Sequence, residues 1–386
     1  MLAALIIFGL LGAAGVVVWK KQRNSTELTD EPARPVVESG AQPVLVLPKE
    51  GNGFGAGSSE PAAKPSVKPA PLAFTRTITF RGHKGGVLGL AVTGSGQTIL
   101  SVSDDKAIIH YASSEPGRHR RLHELNSPGV AVVLCDQDRQ AVFCDGCDVV
   151  VYDLVEQKAR ATFENPRGGV RSLAAAPDGS FLLTGATDGC VRWWSVADKR
   201  LAHTLDIDSQ VTATTAVTAA AITPDGKAAA FGLSDGRVCA WDLRTRREVK
   251  QWKAHAGRVT ALAYSPDGRR LLSAGEDGLA IIWPPTGDRP FRQLADHDGA
   301  VLGIGWCSDS RRILTAGADG QVRLWYEGIG WKTDWAQDLP AKAFSLAVDS
   351  HDRFVLVGLS TGEVRLLPLP LPAVPPVVGV ETVPGQ

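Results

Sequence analysis

The sequence predicts an all-β fold: seven four-stranded sheets closed into a ring, a seven-bladed β-propeller. Three observations carry this. First, residues 176–189, 265–278 and 307–320 read APDGSFLLTGATDG, SPDGRRLLSAGEDG and CSDSRRILTAGADG, each followed by a tryptophan six residues after its aspartate. Second, that register extends to Tyr111, Tyr152, Trp194, Trp241, Trp283, Trp325 and Leu367, with spacings of 41, 42, 47, 42, 42 and 42 residues. A fixed period of this length marks an array of equivalent supersecondary units. Third, each unit parses as four short strands, which is the content of a propeller blade.

The fifth unit illustrates the parsing. Val259 to Tyr264 is an apolar first strand, and Pro266-Asp267-Gly268 is a turn in which proline presets φ and glycine accepts a positive one. Leu271 to Ala274 is the second strand, closed by the tight hairpin signal Asp277-Gly278. Leu279 to Trp283 and Phe291 to Leu294 complete the unit. The first strand of the ring is expected at Arg76 to Phe80, because the C-terminal unit supplies only three strands, Phe344 to Val348, Phe354 to Gly358 and Glu363 to Leu367. Pairing the two ends would restore four strands and remove an exposed edge.

Four segments are expected. Residues 1–23 hold an apolar run, Leu2 to Trp19, followed by Lys20, Lys21 and Arg23. As a helix this run reaches about 27 Å, close to the thickness of a bilayer core. The basic flank places the rest of the chain on the cytoplasmic side, so a single-pass membrane anchor is expected. A cleaved signal peptide, with a periplasmic or secreted propeller, is the rival reading. Residues 24–71 are rich in proline and glycine and read as a disordered linker. The propeller spans 72–369, and 370–386 is a proline-rich tail. If the ring closes as expected, linker and tail leave from the same, bottom end.

Composition narrows function. Lys plus Arg is 41 and Asp plus Glu is 41, so the chain lacks the basic surplus of a nucleic-acid binder. The six cysteines are too sparse for a disulfide scaffold. Cys144-Asp145-Gly146-Cys147 is the sole Cys-x-x-Cys, and it falls on a hairpin. A zinc site wants two more ligands at matching spacing, and a redox pair wants a helix N-terminus, so a degenerate turn is the expectation. No phosphate-binding glycine loop, haem-attachment or His-Glu-x-x-His motif occurs. No catalytic residue, metal or cofactor is expected.

The repeat resembles the WD40 family. Gly82-His83 opens the first unit as in that family, Trp241-Asp242 closes the third strand of the fourth, and Tyr152-Asp153 is a variant. The Pro-Asp-Gly turns resemble bacterial members in particular. The resemblance implies a buried tetrad of His, Ser or Thr, Asp and Trp in each blade, occupied by structure instead of chemistry. It is complete in blade 5 (His255, Ser273, Asp277, Trp283) and blade 6 (His297, Thr315, Asp319, Trp325). Blade 1 has His83, Ser101 and Asp105 with Tyr111 for Trp. Blade 3 has Thr184, Asp188 and Trp194 with Pro166 for His, and blade 4 has Asp235 and Trp241 with Phe231 for the hydroxyl. Blades 2 and 7 have lost it and are expected to be the least stable.

The resemblance also implies a protein-interaction scaffold that binds partners on the top face, where each fourth strand passes to the next blade. The matching positions are Lys84, Arg167, Arg258, Asp298 and Lys342, mostly basic, which suits an acidic partner segment. The longer connection around Ser209 to Val217 is a second candidate. An enzyme or ligand sensor with its site in the central channel is the alternative. It would need polar side chains converging there, whereas the innermost strands are mostly apolar and small.

Overall fold

The computed structural model describes residues 76–164, 168–207, 215–284 and 289–370. The expected membrane anchor, the whole of the linker, all but the first residue of the tail, Arg167 and most of the blade 3–4 insertion lie outside them. Among the described residues no helix is long and apolar enough to cross a membrane.

The described residues form seven four-stranded antiparallel sheets. After β1 (Ile78–Phe80), blade 1 holds β2 (Val87–Val92), β3 (Thr98–Ser103), β4 (Ala107–Ala112) and β5 (His119–Glu124). Blade 2 holds β6 (Val132–Cys135), β7 (Gln140–Asp145), β8 (Asp148–Asp153) and β9 (Lys158–Phe163). Blade 3 holds β10 (Val170–Ala175), β11 (Phe181–Ala186), β12 (Cys190–Ser195) and β13 (Arg200–Asp206). Blade 4 holds β14 (Val217–Ile222), β15 (Ala228–Leu233), β16 (Arg237–Asp242) and β17 (Arg247–Lys253). Blade 5 holds β18 (Val259–Tyr264), β19 (Leu271–Gly275), β20 (Ala280–Trp283) and β21 (Arg292–Leu294). Blade 6 holds β22 (Val301–Trp306), β23 (Arg312–Gly317), β24 (Gln321–Tyr326) and β25 (Lys332–Asp338). Blade 7 holds β26 (Ala343–Val348), β27 (Phe354–Leu359) and β28 (Val364–Pro368), and takes β1 as its fourth strand.

Burial follows sequence. First and second strands are apolar and almost wholly buried, while the fourth strands of blades 1–6 carry the charge and are largely exposed. The core is a set of clusters, each shared by two neighbouring blades: Ala174, Leu183 and Val191 of blade 3 pack on Val217, Ala229 and Phe231 of blade 4. The innermost strand of each blade packs on that of the next, and β26 on β2, so the ring is closed.

The seams use two devices. In six blades the first strand carries a β-bulge at its second residue. In blades 3, 4, 5 and 7 a hydroxyl at or beside that bulge donates to the first carbonyl of the next blade: Ser172 to Val217 at 3.4 Å, Thr218 to Val259 at 2.7 Å, Thr260 to Val301, and Ser345 to Val87 at 2.9 Å. Blades 1 and 6 have glycine there instead. A Cβ on Gly303 would meet the Leu346 backbone nitrogen at 2.9 Å, so only glycine admits the neighbouring strand. Blade 2 has neither device, and β6 is a short strand without a bulge.

Closure occurs as the strand count requires. Ile78 pairs with Leu366 and Phe80 with Val364. This register puts the start of β1 beside the end of β28, at the end of the ring that bears the first-to-second-strand turns. The described chain therefore enters and leaves at the bottom.

Candidate functional site

The candidate site is the top face, and the tetrads position it. In blade 5 the Trp283 indole donates to Ser273 Oγ at 2.9 Å, Ser273 lies 2.8 Å from His255 Nε2, and His255 Nδ1 lies 2.9 Å from Asp277. With His255 neutral, a proton sits on every link: indole to hydroxyl, hydroxyl to Nε2, Nδ1–H to carboxylate. Asp277 also accepts the Ala256 N–H at 3.0 Å, which fixes the loop leading to Arg258. Blade 6 repeats the chain through Trp325, Thr315, His297 and Asp319 at 2.9, 2.7 and 2.9 Å. In blade 1 His83 reaches Ser101 at 2.6 Å and Asp105 at 3.0 Å, and Asp105 accepts the Lys84 N–H at 2.8 Å. Tyr111 fills the tryptophan position, fully buried, and burial pushes its phenol up to about 12.

Blades 3 and 4 solve the missing member differently. Trp194 still donates to Thr184 at 2.9 Å, but Asp188 is held by Arg192, whose guanidinium lies 2.5 Å from it and is almost wholly buried. Burial alone would raise the Asp188 carboxyl, yet the hydrogen bonds from Arg192 and the Cys190 N–H hold it below its ordinary value. Sequence reasoning missed Arg192. The available signal was an arginine two residues before the register tryptophan, repeated at Arg323, which lies 2.8 Å from Asp319. In blade 4 Asp235 turns to Arg237 at 2.6 Å, and with Phe231 in place of a hydroxyl the buried Trp241 indole N–H has no partner among the described residues.

In blade 2 the central hairpin narrows to a two-residue turn, with Asp145 paired to Asp148. Cys144 is buried on β7, and burial pushes its thiol up to about 12, while Cys147 is exposed in the turn. Burial favours the neutral Cys144 thiol, which suits a core position on the strand. Among the described residues no group of His, Cys, Asp and Glu is arranged to hold a metal ion.

The top-face positions differ in availability. Lys84, Asp298 and Lys342 are exposed. Arg258 forms an ion pair with Glu276 at 2.9 Å. The second-to-third-strand hairpins share this face, because their backbones bond the loops: Asp104 N–H to Gly86, Glu276 N–H to Arg258 and Ser360 N–H to Lys342. They bring acids that the loop count left out, Asp104 and Glu276 among them. The exception is blade 7, whose hairpin Ser360-Thr361-Gly362 is uncharged and lies between the Lys342 backbone and the His83–Gly85 backbone that carries Lys84.

Burial depresses the imidazoles of His83, His255 and His297 by more than their aspartate partners raise them. Their native form is neutral. Below the unfolded-chain value of about 6.5 the unfolded state binds protons that the native state does not, so stability falls as pH falls from there toward the lower native values. The melting temperature is expected to hold from pH 8 to 7 and to drop steadily between roughly pH 6.5 and 5. A flat profile across that window would show that the three histidines bind protons equally in the native and unfolded states, so that burial does not depress them.

Comparison with known proteins agrees with this geometry. Residues 169–342 match the family described as WDR90, 4th beta-propeller, and residues 74–111 match the WD domain, G-beta repeat. Together with seven four-stranded sheets and the tetrads, these matches make the chain a WD40-repeat propeller. Among curated proteins it is similar to human pre-mRNA-processing factor 19, at 25% identity over 36% of this chain. It is also similar to mouse transducin-like enhancer protein 2, at 28% over 48%, and to human DDB1- and CUL4-associated factor 6, at 29% over 43%. The matches span only 36%, 26% and 21% of those proteins' own lengths. All three are mammalian, which lends no support to the bacterial resemblance of the turns.

Proposed function

We propose that this chain is a membrane-tethered, non-enzymatic scaffold whose propeller presents the top of blade 7 to an acidic segment of a partner protein. The observation that carries the reading is the pair Lys84 and Lys342, exposed on either side of a hairpin with no charge of its own. Lys84 also borders the blade 1 hairpin, whose Asp105 accepts its backbone N–H, whereas at Arg258 the cation is already paired with Glu276. One of the similar proteins, DDB1- and CUL4-associated factor 6, is named for association with other proteins, which supports a protein partner. The tether reading rests on the apolar run Leu2 to Trp19 and its basic flank. Both described chain ends lie at the bottom, so a tether there leaves the top facing away from a cytoplasmic membrane surface.

One experiment tests both parts. Tagged chain is recovered from carbonate-washed membranes, its N-terminus is sequenced, and co-purifying proteins are compared between wild type and Lys84→Glu/Lys342→Glu. An intact N-terminus in the membrane pellet and roughly tenfold lower partner recovery from the variant are expected. A mature start near Val16 removes the anchor, and unchanged recovery removes the lysine pair. The Arg258→Glu variant is expected to have the smaller effect, since its charge is already neutralised by Glu276.

A further inference from the structure

A second surface lies on the outer, lower part of the seam between blades 3 and 4. Position 193, one residue before the register aromatic, is Trp in blade 3, whereas its counterparts are His110, Val151, Ala240, Ile282, Leu324 and Leu366. Trp193 is half-buried and stacks on Phe181 at 4.5 Å. On its other side the exposed His203 ring meets it edge-on at 6.1 Å. The Arg246 guanidinium crosses from blade 4 to sit 2.7 Å from His203 Nε2. The result is a graded column, aromatic at its base and cationic at its rim.

The rim belongs to the turn between β16 and β17. Arg244, Arg246 and Arg247 are all exposed there. Asp242 is engaged by the turn itself, accepting the Thr245 N–H at 2.9 Å, and Asp225 across from it is bound to Thr223 and Lys227. Arg247 forms no ion pair with any described residue. Arg246 has φ 56°, as the equivalent turn residues Gln157 and Lys199 do at 56° and 52°, so this conformation belongs to the shared turn. Charged outer strands are expected in any propeller, because they discourage edge-to-edge pairing. That role explains scattered lysines. It does not call for a stacked tryptophan capped through His203 by Arg246, with two further exposed arginines in the same turn.

Aromatic and arginine side chains together are the composition of binding hot spots. We propose that this seam is a docking surface for an acidic segment of a protein partner, with an apolar or aromatic side chain seated on Trp193 and flanking carboxylates held by Arg244, Arg246 and Arg247. A protein is favoured over a nucleic acid because the cations form a compact cluster on a chain of zero formal net charge, not a track along a surface. The surface is separate from the top of blade 7, lying at the opposite end of the ring.

The test uses the full-length chain and a fluorescein-labelled glutamate-rich peptide with one central phenylalanine, read by anisotropy. Arg244→Glu/Arg247→Glu is expected to weaken binding roughly tenfold or more, with weaker salt dependence. Trp193→Leu, which keeps an apolar residue against the blade core, is expected to weaken it several-fold with an unchanged melting temperature. Val155→Ala, in an exposed turn of blade 2, is the unchanged control; loss of binding in Lys84→Glu/Lys342→Glu but not in the arginine variant would place the peptide on blade 7 and overturn the proposal. Wild-type affinity in the arginine variant overturns the proposal. So does tighter binding of an oligouridylate or of phosphatidylserine vesicles than of the peptide, which would reassign the surface to nucleic acid or lipid.

Discussion

Phe80→Ala is expected to destabilise the propeller by about 3–5 kcal/mol, the usual cost of truncating a fully buried phenylalanine. Phe80 has no exposed surface, packs among Val87, Ile109, Phe354 and Val364, and lies 5.3 Å from the Tyr111 ring. It belongs to β1, which is three residues long and is the strand that converts blade 7 from three strands to four. The loss therefore falls on the joint between the two ends of the described ring. Val155→Ala is the control, since Val155 is 70% exposed, and should change stability by less than about 0.5 kcal/mol. Urea denaturation followed by tryptophan fluorescence measures both. If Phe80→Ala costs no more than Val155→Ala, closure by β1 does not hold the ring together.

Asp277→Ala is expected to cost about 2–4 kcal/mol, and Asp235→Ala less than about 1 kcal/mol. The two aspartates occupy the same register position, so sequence alone would treat them alike. Asp277 accepts from the buried His255 imidazole and from the exposed Ala256 N–H, and its removal orphans the imidazole N–H away from water and releases the loop. Asp235 is more exposed and its guanidinium partner, Arg237, can turn to solvent. Equal losses from the two substitutions would mean that the tetrad in blade 5 contributes no more than a surface ion pair. Asp277→Asn, which keeps an acceptor, should recover part of the loss.

Blade number, strand order and the location of the closing strand were legible because they follow from local chemistry repeated at a fixed period. The Pro-Asp-Gly turns need a positive φ at glycine, and Gly179, Gly226 and Gly268 all have one near +70°. The alternation within each strand sets which side chains enter the seams. Three of the predicted tetrad links, in blades 1, 5 and 6, were legible for the same reason: each His–Asp spacing of 22 residues and Ser/Thr–Trp or Ser–Tyr spacing of 10 is imposed by one blade's own turns.

What remained hidden arises between blades or between loops far apart in the chain. Arg192 takes over from a missing histidine because a long side chain on β12 can reach Asp188 in its own hairpin, and nothing in a repeat pattern assigns it that task. Arg258 looks available in sequence and is paired to Glu276 in the fold. The column of Phe181, Trp193, His203 and Arg246 joins three strands of one blade to a turn of the next. Sequence by itself determined the ring, since each hydrophobic pattern and turn is read over a few residues. Only the tertiary structure decided which charges stay free and which rings stack, since those depend on side chains meeting across a seam.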